Sequence, residues 1–181
     1  YVELVRDLDE QQFCSVHPYA VLVHATLSSA LRPTEDTRGM TVERLVLDGP
    51  AEPDAATLDG LMPRATRDGG PAVPGGMYTV YGLASRDPGE TTTTIGCSSR
   101  CDVQINDQSV SKLHARVVDH GDRYHVQDAD SSTGTLVNDE PLEPNQWRRL
   151  AAGDRLTLGF VDLTFLPAAD FYRFVRRLFV D

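Results

Sequence analysis

Apolar positions along this chain follow two different periods. Near the start, Asp9-Glu10-Gln11-Gln12 has the form of a helix N-terminus, with Asp9 as N-cap and Gln12 three residues on. That helix must end near His17, because Pro18 cannot continue it and restricts the residue before it. Tyr19–Ala25 is an apolar run of strand length, and Thr41–Leu47 alternates weakly through Val42, Leu45 and Leu47, as a second strand would. Residues 48–76 are rich in Pro and Gly and read as a loop or linker, with at most one helical turn around Ala55–Leu61. From Met77 onward the pattern becomes a series of short strands: Met77–Leu83, Thr92–Ile95, Val103–Ile105, His114–Val118, Tyr124–Gln127, Thr135–Val137, Arg155–Leu158 and Val161–Leu166. Turn residues such as Asp87-Pro88-Gly89, Asn138–Pro141 and Ala152-Gly153-Asp154 separate them, and no helix intervenes. Such a series predicts an antiparallel sandwich or barrel. After Pro167 the period changes again: Phe171, Phe174, Val175, Leu178 and Phe179 fall on one helical stripe, with Arg173, Arg176 and Arg177 off it.

The expected class is therefore mainly β, in three parts: an N-terminal extension (1–76), a β-sandwich (77–166) and a C-terminal amphipathic helix (167–181). The N-terminal helix, its strand and the C-terminal helix are expected to flank the sandwich as one extended domain. That arrangement covers Phe13, Leu22, Phe171 and Phe174, which otherwise have no home. An independent N-terminal domain would have little core, given the Pro/Gly-rich stretch after it.

Charge narrows the function. With 17 Lys+Arg against 27 Asp+Glu the formal charge is −10, which argues against non-specific nucleic-acid binding. No apolar stretch approaches the roughly 18–20 residues of a membrane span. Three cysteines, Cys14, Cys97 and Cys101, make neither a disulfide framework nor a zinc pattern. Reduced thiols and the absence of a visible leader point to a cytoplasmic protein. The histidines are scattered, so neither a metal nor a cofactor is expected.

The chemistry concentrates in four stretches. They are Thr94-Ile95-Gly96-Cys97-Ser98-Ser99-Arg100-Cys101-Asp102-Val103, Val110-Ser111-Lys112-Leu113-His114-Ala115, Asp128 to Asn138, and Leu150-Ala151-Ala152-Gly153-Asp154. A phosphate needs charge-assisted donors converging from several loops. Ser111 and Lys112 offer a hydroxyl, an N–H and a point charge, Arg100 lies on the preceding turn, and Ser132 and Thr133 on a later one. Gly96 and Gly134 suit the tight backbone of those turns. Read alone, Ser111 and Lys112 equally describe an ordinary exposed turn. A Ser111–His114 nucleophile pair lacks an oxyanion hole and a nucleophile elbow, so no catalytic residue is expected.

This order and spacing resembles the forkhead-associated (FHA) domain, over Met77 to Leu166: a Gly-Arg turn, a Ser-x-x-His motif, a Ser-x-Asn-Gly-Thr turn and a late Gly-Asp. The resemblance implies an eleven-stranded β-sandwich that is not an enzyme. Loops at one end would bind phosphothreonine in an extended protein segment, in Ser/Thr-kinase signalling. It places Ser111, Lys112, Arg100, Ser132 and Thr133 at the phosphothreonine. Gly96, His114, Gly134 and Asn138 become supports of the loops.

Two positions depart from the family pattern. Cys97 stands where the family has arginine, and Thr133 where it has asparagine. One lost hydrogen bond to a charged group costs about 1.5–3 kcal/mol, and lysine does not reproduce a guanidinium fork. Two expectations follow: a phosphothreonine reader relying on Ser111, Lys112 and Arg100, or an FHA-type fold used for phosphate-independent docking.

Overall fold

The computed structural model describes residues 1–26, 42–46, 77–87, 89–121 and 123–179. The expected helical turn at Ala55–Leu61 and the whole Pro/Gly-rich stretch, 48–76, lie outside them. Three helices and twelve strands occur among the described residues: α1 (Val2–Asp7), α2 (Glu10–Val16), β1 (Val21–Thr26), β2 (Val42–Val46), β3 (Met77–Gly82), β4 (Thr92–Gly96), β5 (Val103–Gln104), β6 (Ala115–Asp119), β7 (Tyr124–Asp128), β8 (Thr135–Val137), β9 (Glu140–Pro141), β10 (Trp147–Leu150), β11 (Arg155–Leu158), β12 (Val161–Leu166) and α3 (Ala168–Phe179).

The strands form two sheets, ordered β2-β3-β1-β12-β11-β8-β9 and β10-β7-β6-β4-β5. Pairing is antiparallel except between β4 and β5, where Ile95 lies beside Val103 in parallel. The twelve strands exceed the eleven that the family resemblance implied, and the seven-stranded sheet includes two from the N-terminal stretch. β1 is a central strand, antiparallel to β3 on one side and to β12 on the other.

The sequence of β1 shows why it belongs there. Leu22 points into the core between the sheets, with Ile95, Val126, Leu156 and Phe165. Val21 and Val23 point the opposite way, into a second apolar cluster with Val5, Phe13, Tyr78, Phe171, Phe174 and Val175. A strand covered on both faces has an unbroken apolar run, not an alternating one. Phe13, Leu22, Phe171 and Phe174 are all buried, as expected. They do not share one core, however: Leu22 faces the sandwich, while the three phenylalanines lie under the helices.

The helical layer is set by local rules. Asp9 and Gln12 form a reciprocal capping box, with Gln12 N–H donating to Asp9 Oδ1 (2.8 Å) and Asp9 N–H to Gln12 Oε1 (3.1 Å). α2 stops at Val16, two residues before Pro18. α3 starts after Pro167, and its apolar stripe faces α1, α2 and the sheet. Arg173 reaches across to Glu10 on α2 (2.8 Å) and along its own helix to Asp170 (3.3 Å). Tyr172 donates its hydroxyl to Leu8 O (3.0 Å), which closes the layer.

Candidate functional site: a loop cluster at one end of the sandwich

The loop after β4 lies against the loop before β6. Cys97 N–H donates to Ser111 O (3.0 Å) and Ser98 N–H to Lys112 O (3.2 Å). At Gly96 the two backbones are so close that a Cβ would stand 2.2 Å from Lys112 O. Its glycine is required by this approach, whereas Gly134 is required by its left-handed φ of 81°. The β4–β5 loop is fastened from behind by Asp102, which accepts from Thr94 N–H (2.8 Å), Thr94 Oγ1 (2.6 Å) and Arg86 N–H (2.9 Å). Arg86 also donates through Nη1 to Ser99 O (2.9 Å). Burial acts to raise the Asp102 carboxyl's pKa, but the bonds from Thr94 and Arg86 outweigh it and hold the group below its ordinary value.

His114 is wholly buried and joins the two main loops. Ser111 N–H donates to its Nδ1 (2.9 Å), so Nδ1 carries no proton; Nε2 therefore holds the proton and donates to Gly134 O (3.1 Å). Burial lowers the pKa of the imidazole, against the opposing pull of the Gly134 carbonyl and Asp128. Both ring nitrogens are thus committed to backbone, and neither contacts the Ser111 hydroxyl. A nucleophile needs its base on the hydroxyl, so Ser111 and His114 are not a catalytic pair.

Asp128, only 1% exposed, organises the other loop. It accepts from Ser131 N–H (2.8 Å), Ser131 Oγ (2.7 Å) and Thr135 Oγ1 (2.5 Å), and Ser131 Oγ accepts in turn from Gly134 N–H (3.0 Å). Burial pushes its pKa up, yet the Thr135 and Ser131 bonds prevail and leave it lowered. Asp128 and Arg86 were not anticipated as site supports. For Asp128 a signal existed, since an Asp three residues before a Ser is the pattern of a side-chain-capped turn. Arg86 acts 13 to 16 residues along the chain, with no local signal.

The expected phosphate residues divide into groups. Ser111 Oγ accepts from Ser132 N–H (3.0 Å), which joins the two loops and leaves the Ser111 proton available. Lys112 and Ser132 are exposed, and their side chains have no hydrogen-bond partner among the described residues. Arg100 is exposed on the adjoining turn, its guanidinium likewise without a partner among the described residues. Thr133 differs: its hydroxyl donates to Ser109 O (2.6 Å) and so braces the loop. Asn138, expected as a support of the loops and not as a phosphate ligand, is bonded at both atoms of its amide. Its Nδ2 donates to Asp154 Oδ1 (2.8 Å) and its Oδ1 accepts from Arg155 N–H (2.9 Å), which fixes the β8–β9 turn to the Gly153-Asp154 turn.

The FHA domain family model matches residues 93–159. The chain is 45% identical over 62 residues to protein FraH of a Nostoc species, a span of 34% of this chain and 22% of that protein. It is 36% identical over 77 residues to the oxoglutarate dehydrogenase inhibitor of Corynebacterium jeikeium, covering 42% and 51% respectively. The chain thus spans between about a fifth and a half of the length of these relatives. Among solved structures, one from a study of phosphothreonine-dependent FHA domain interactions is 28% identical, covers 48% of this chain and 82% of its own, and superposes with a TM-score of 0.42. Motif order, two packed sheets and a loop cluster braced by the motif histidine all agree with the family match: the chain contains an FHA domain, a non-catalytic protein-interaction module.

Proposed function

We propose that this FHA domain binds phosphothreonine in an extended segment of a partner protein, within Ser/Thr-kinase signalling. The observation that carries the reading is the state of Ser111. Its oxygen accepts from Ser132 N–H and its backbone N–H is held by His114, and the hydroxyl donates to no acceptor among the described residues. A phosphate oxygen is the acceptor that such a fixed donor suits. The same two loops also carry the Lys112 ammonium, the Ser132 hydroxyl and the backbone N–H groups of Lys112 and Thr133, which make no hydrogen bond among the described residues. Arg100 supplies a guanidinium from the next turn, a substitute for the one that Cys97 cannot provide. The positive charges are side chains at the rim, so affinity falls as salt is added.

Phosphate-independent docking is the competing reading, and Cys97 and the loop-bracing role of Thr133 favour it. Calorimetric titration of one peptide library in phosphothreonine, phosphoserine and unphosphorylated forms separates the two. The proposal expects selective binding of the phosphothreonine form and a loss of about ten- to a hundredfold in Ser111→Ala, the worth of one hydrogen bond to a charged acceptor. Equal affinity for phosphorylated and unphosphorylated peptides by the folded protein would establish docking instead.

A further inference from the structure

The helices pack on the seven-stranded sheet. On the outer face of the five-stranded one, Trp147 (48% exposed) and Arg149 stand open among the described residues. Strand alternation and register set which side chains share that face. Trp147, Gln127 and Arg116 form one row across β10, β7 and β6, and Arg149, His125 and Val118 form the next. Val126 and Val117, which alternate with them, are buried in the core. None of these six outward residues is a carboxylate and two are arginines, on a chain whose formal charge is −10. Arg148, on the opposite side of β10, is paired with Glu140 (2.6 Å). Neither outward arginine is neutralised in this way among the described residues. Arg116 meets the uncharged amide of Gln127 (3.4 Å), and the Arg149 guanidinium has no partner.

We propose that this face docks an acidic, unphosphorylated segment of a partner protein, with carboxylates on Arg116 and Arg149 and an aliphatic side chain between them. The two arginines are two strands and two residues apart, which sets their Cα atoms about 12 Å apart on a diagonal of the sheet. An extended segment covers that distance in about four residues, so carboxylates at i and i+4 meet both guanidinium groups. The side chain at i+2 points the same way and falls midway. There it lies between Trp147 and Val118, which occupy the other diagonal. The negative charge of the rest of the chain turns acidic segments away from other surfaces, so the face also supplies selectivity. A single-stranded nucleic acid is the other polyanion with this charge, but successive bases stack on successive aromatic rings, and the face has one large aromatic side chain. The docking residues lie on strands, not on the loops of Ser111 and Ser132, so this contact goes beyond the phosphothreonine reading and does not depend on it.

The chain has a single tryptophan and it lies on this face, so its emission reports occupancy directly. The probe is an unphosphorylated peptide built on Glu-Ser-Leu-Ser-Glu, beside versions with Lys for Glu and with Ser for Leu, and beside oligo-dT. The acidic peptide is expected to shift the Trp147 emission to the blue, saturably and less strongly as salt is added. It should bind about tenfold more tightly than the lysine version and more tightly than the version without leucine. Arg149→Glu should weaken it about tenfold and Arg149→Gln by less, while Ser111→Ala leaves it unchanged. The Arg149 side chain is exposed and unpaired, so both of its variants should melt with the wild type. An equal response to the acidic and lysine peptides, an affinity untouched by Arg149→Glu, or tighter binding of oligo-dT overturns this inference. A loss in Ser111→Ala without one in Arg149→Glu puts the acidic peptide on the phosphate loops, which overturns it and leaves the phosphothreonine reading standing.

Discussion

Replacing His114 probes the support of the site without touching its binding groups. In His114→Ala, Ser111 N–H loses its acceptor and Gly134 O one of its two donors, bonds of 2.9 and 3.1 Å across 3 and 20 residues, while Gly159 N–H still donates to that carbonyl (3.2 Å). The orphaned, part-buried Ser111 N–H costs about 1–3 kcal/mol, so the loss of stability should be of that size before any cavity cost is added. Against a total of roughly 5–15 kcal/mol for a domain, that is a large fraction. Urea unfolding monitored by tryptophan fluorescence should show a clear fall in midpoint with an unchanged slope. His114→Gln, which retains one acceptor and one donor, should lose less. The pH dependence follows from the direction of the pKa shift. Because the folded-state pKa lies below the ordinary 6.5, the unfolded chain binds the extra proton first. The contribution of the neutral imidazole is fully present above pH 6.5 and is lost as pH falls from there through the lowered folded-state value. His114→Gln should flatten the stability profile across this window. A loss below about 1 kcal/mol in the alanine variant, or a pH profile unaltered in the glutamine one, would refute the bridging role.

Two further variants bear on the frame. Gly96→Ala places a methyl 2.2 Å from a backbone oxygen of Lys112, so the β4–β5 loop must move off Ser111 and Lys112; thermal melting and peptide titration should show lower stability and weakened phosphopeptide binding together. Arg173→Ala, by contrast, removes an ion pair exposed on both sides, 51% and 41%, and should lower stability by no more than about 1 kcal/mol in the same unfolding assay.

Most of the architecture was legible because its signals are local. The capping box at Asp9 and Gln12, the break before Pro18, the stripe on α3 and the strand–turn rhythm after Met77 each depend on neighbours a few residues apart. The missed elements lack such signals. In β10, Trp147, Arg148 and Arg149 are exposed or partly exposed, and only Leu150 is buried, so no alternation marks the strand. β9 contains Pro141 at a sheet edge, where the missing N–H is tolerated, and it reads as a turn. α1 has no capping side chain.

The site was legible in part. Motif order pointed to the two loops that carry Ser111, Lys112, Ser132 and His114, and the structure bonds those loops together, but which side chain braces which loop depends on distant pairs. Thr133 bonds to Ser109, 24 residues away, and Phe160 to Ser109, 51 residues away. No spacing rule reaches that far, so Thr133 was expected at the ligand while Phe160 attracted no expectation at all.

The most direct measurement is a map of backbone amide shifts by two-dimensional NMR as a phosphothreonine peptide is added, with its unphosphorylated form as control. The account predicts that the largest shifts fall on Ser111, Lys112, Ser132 and Thr133, and that the unphosphorylated form leaves them still. Shifts spread over the helical layer or the sheet faces, equal for both peptides, would contradict it.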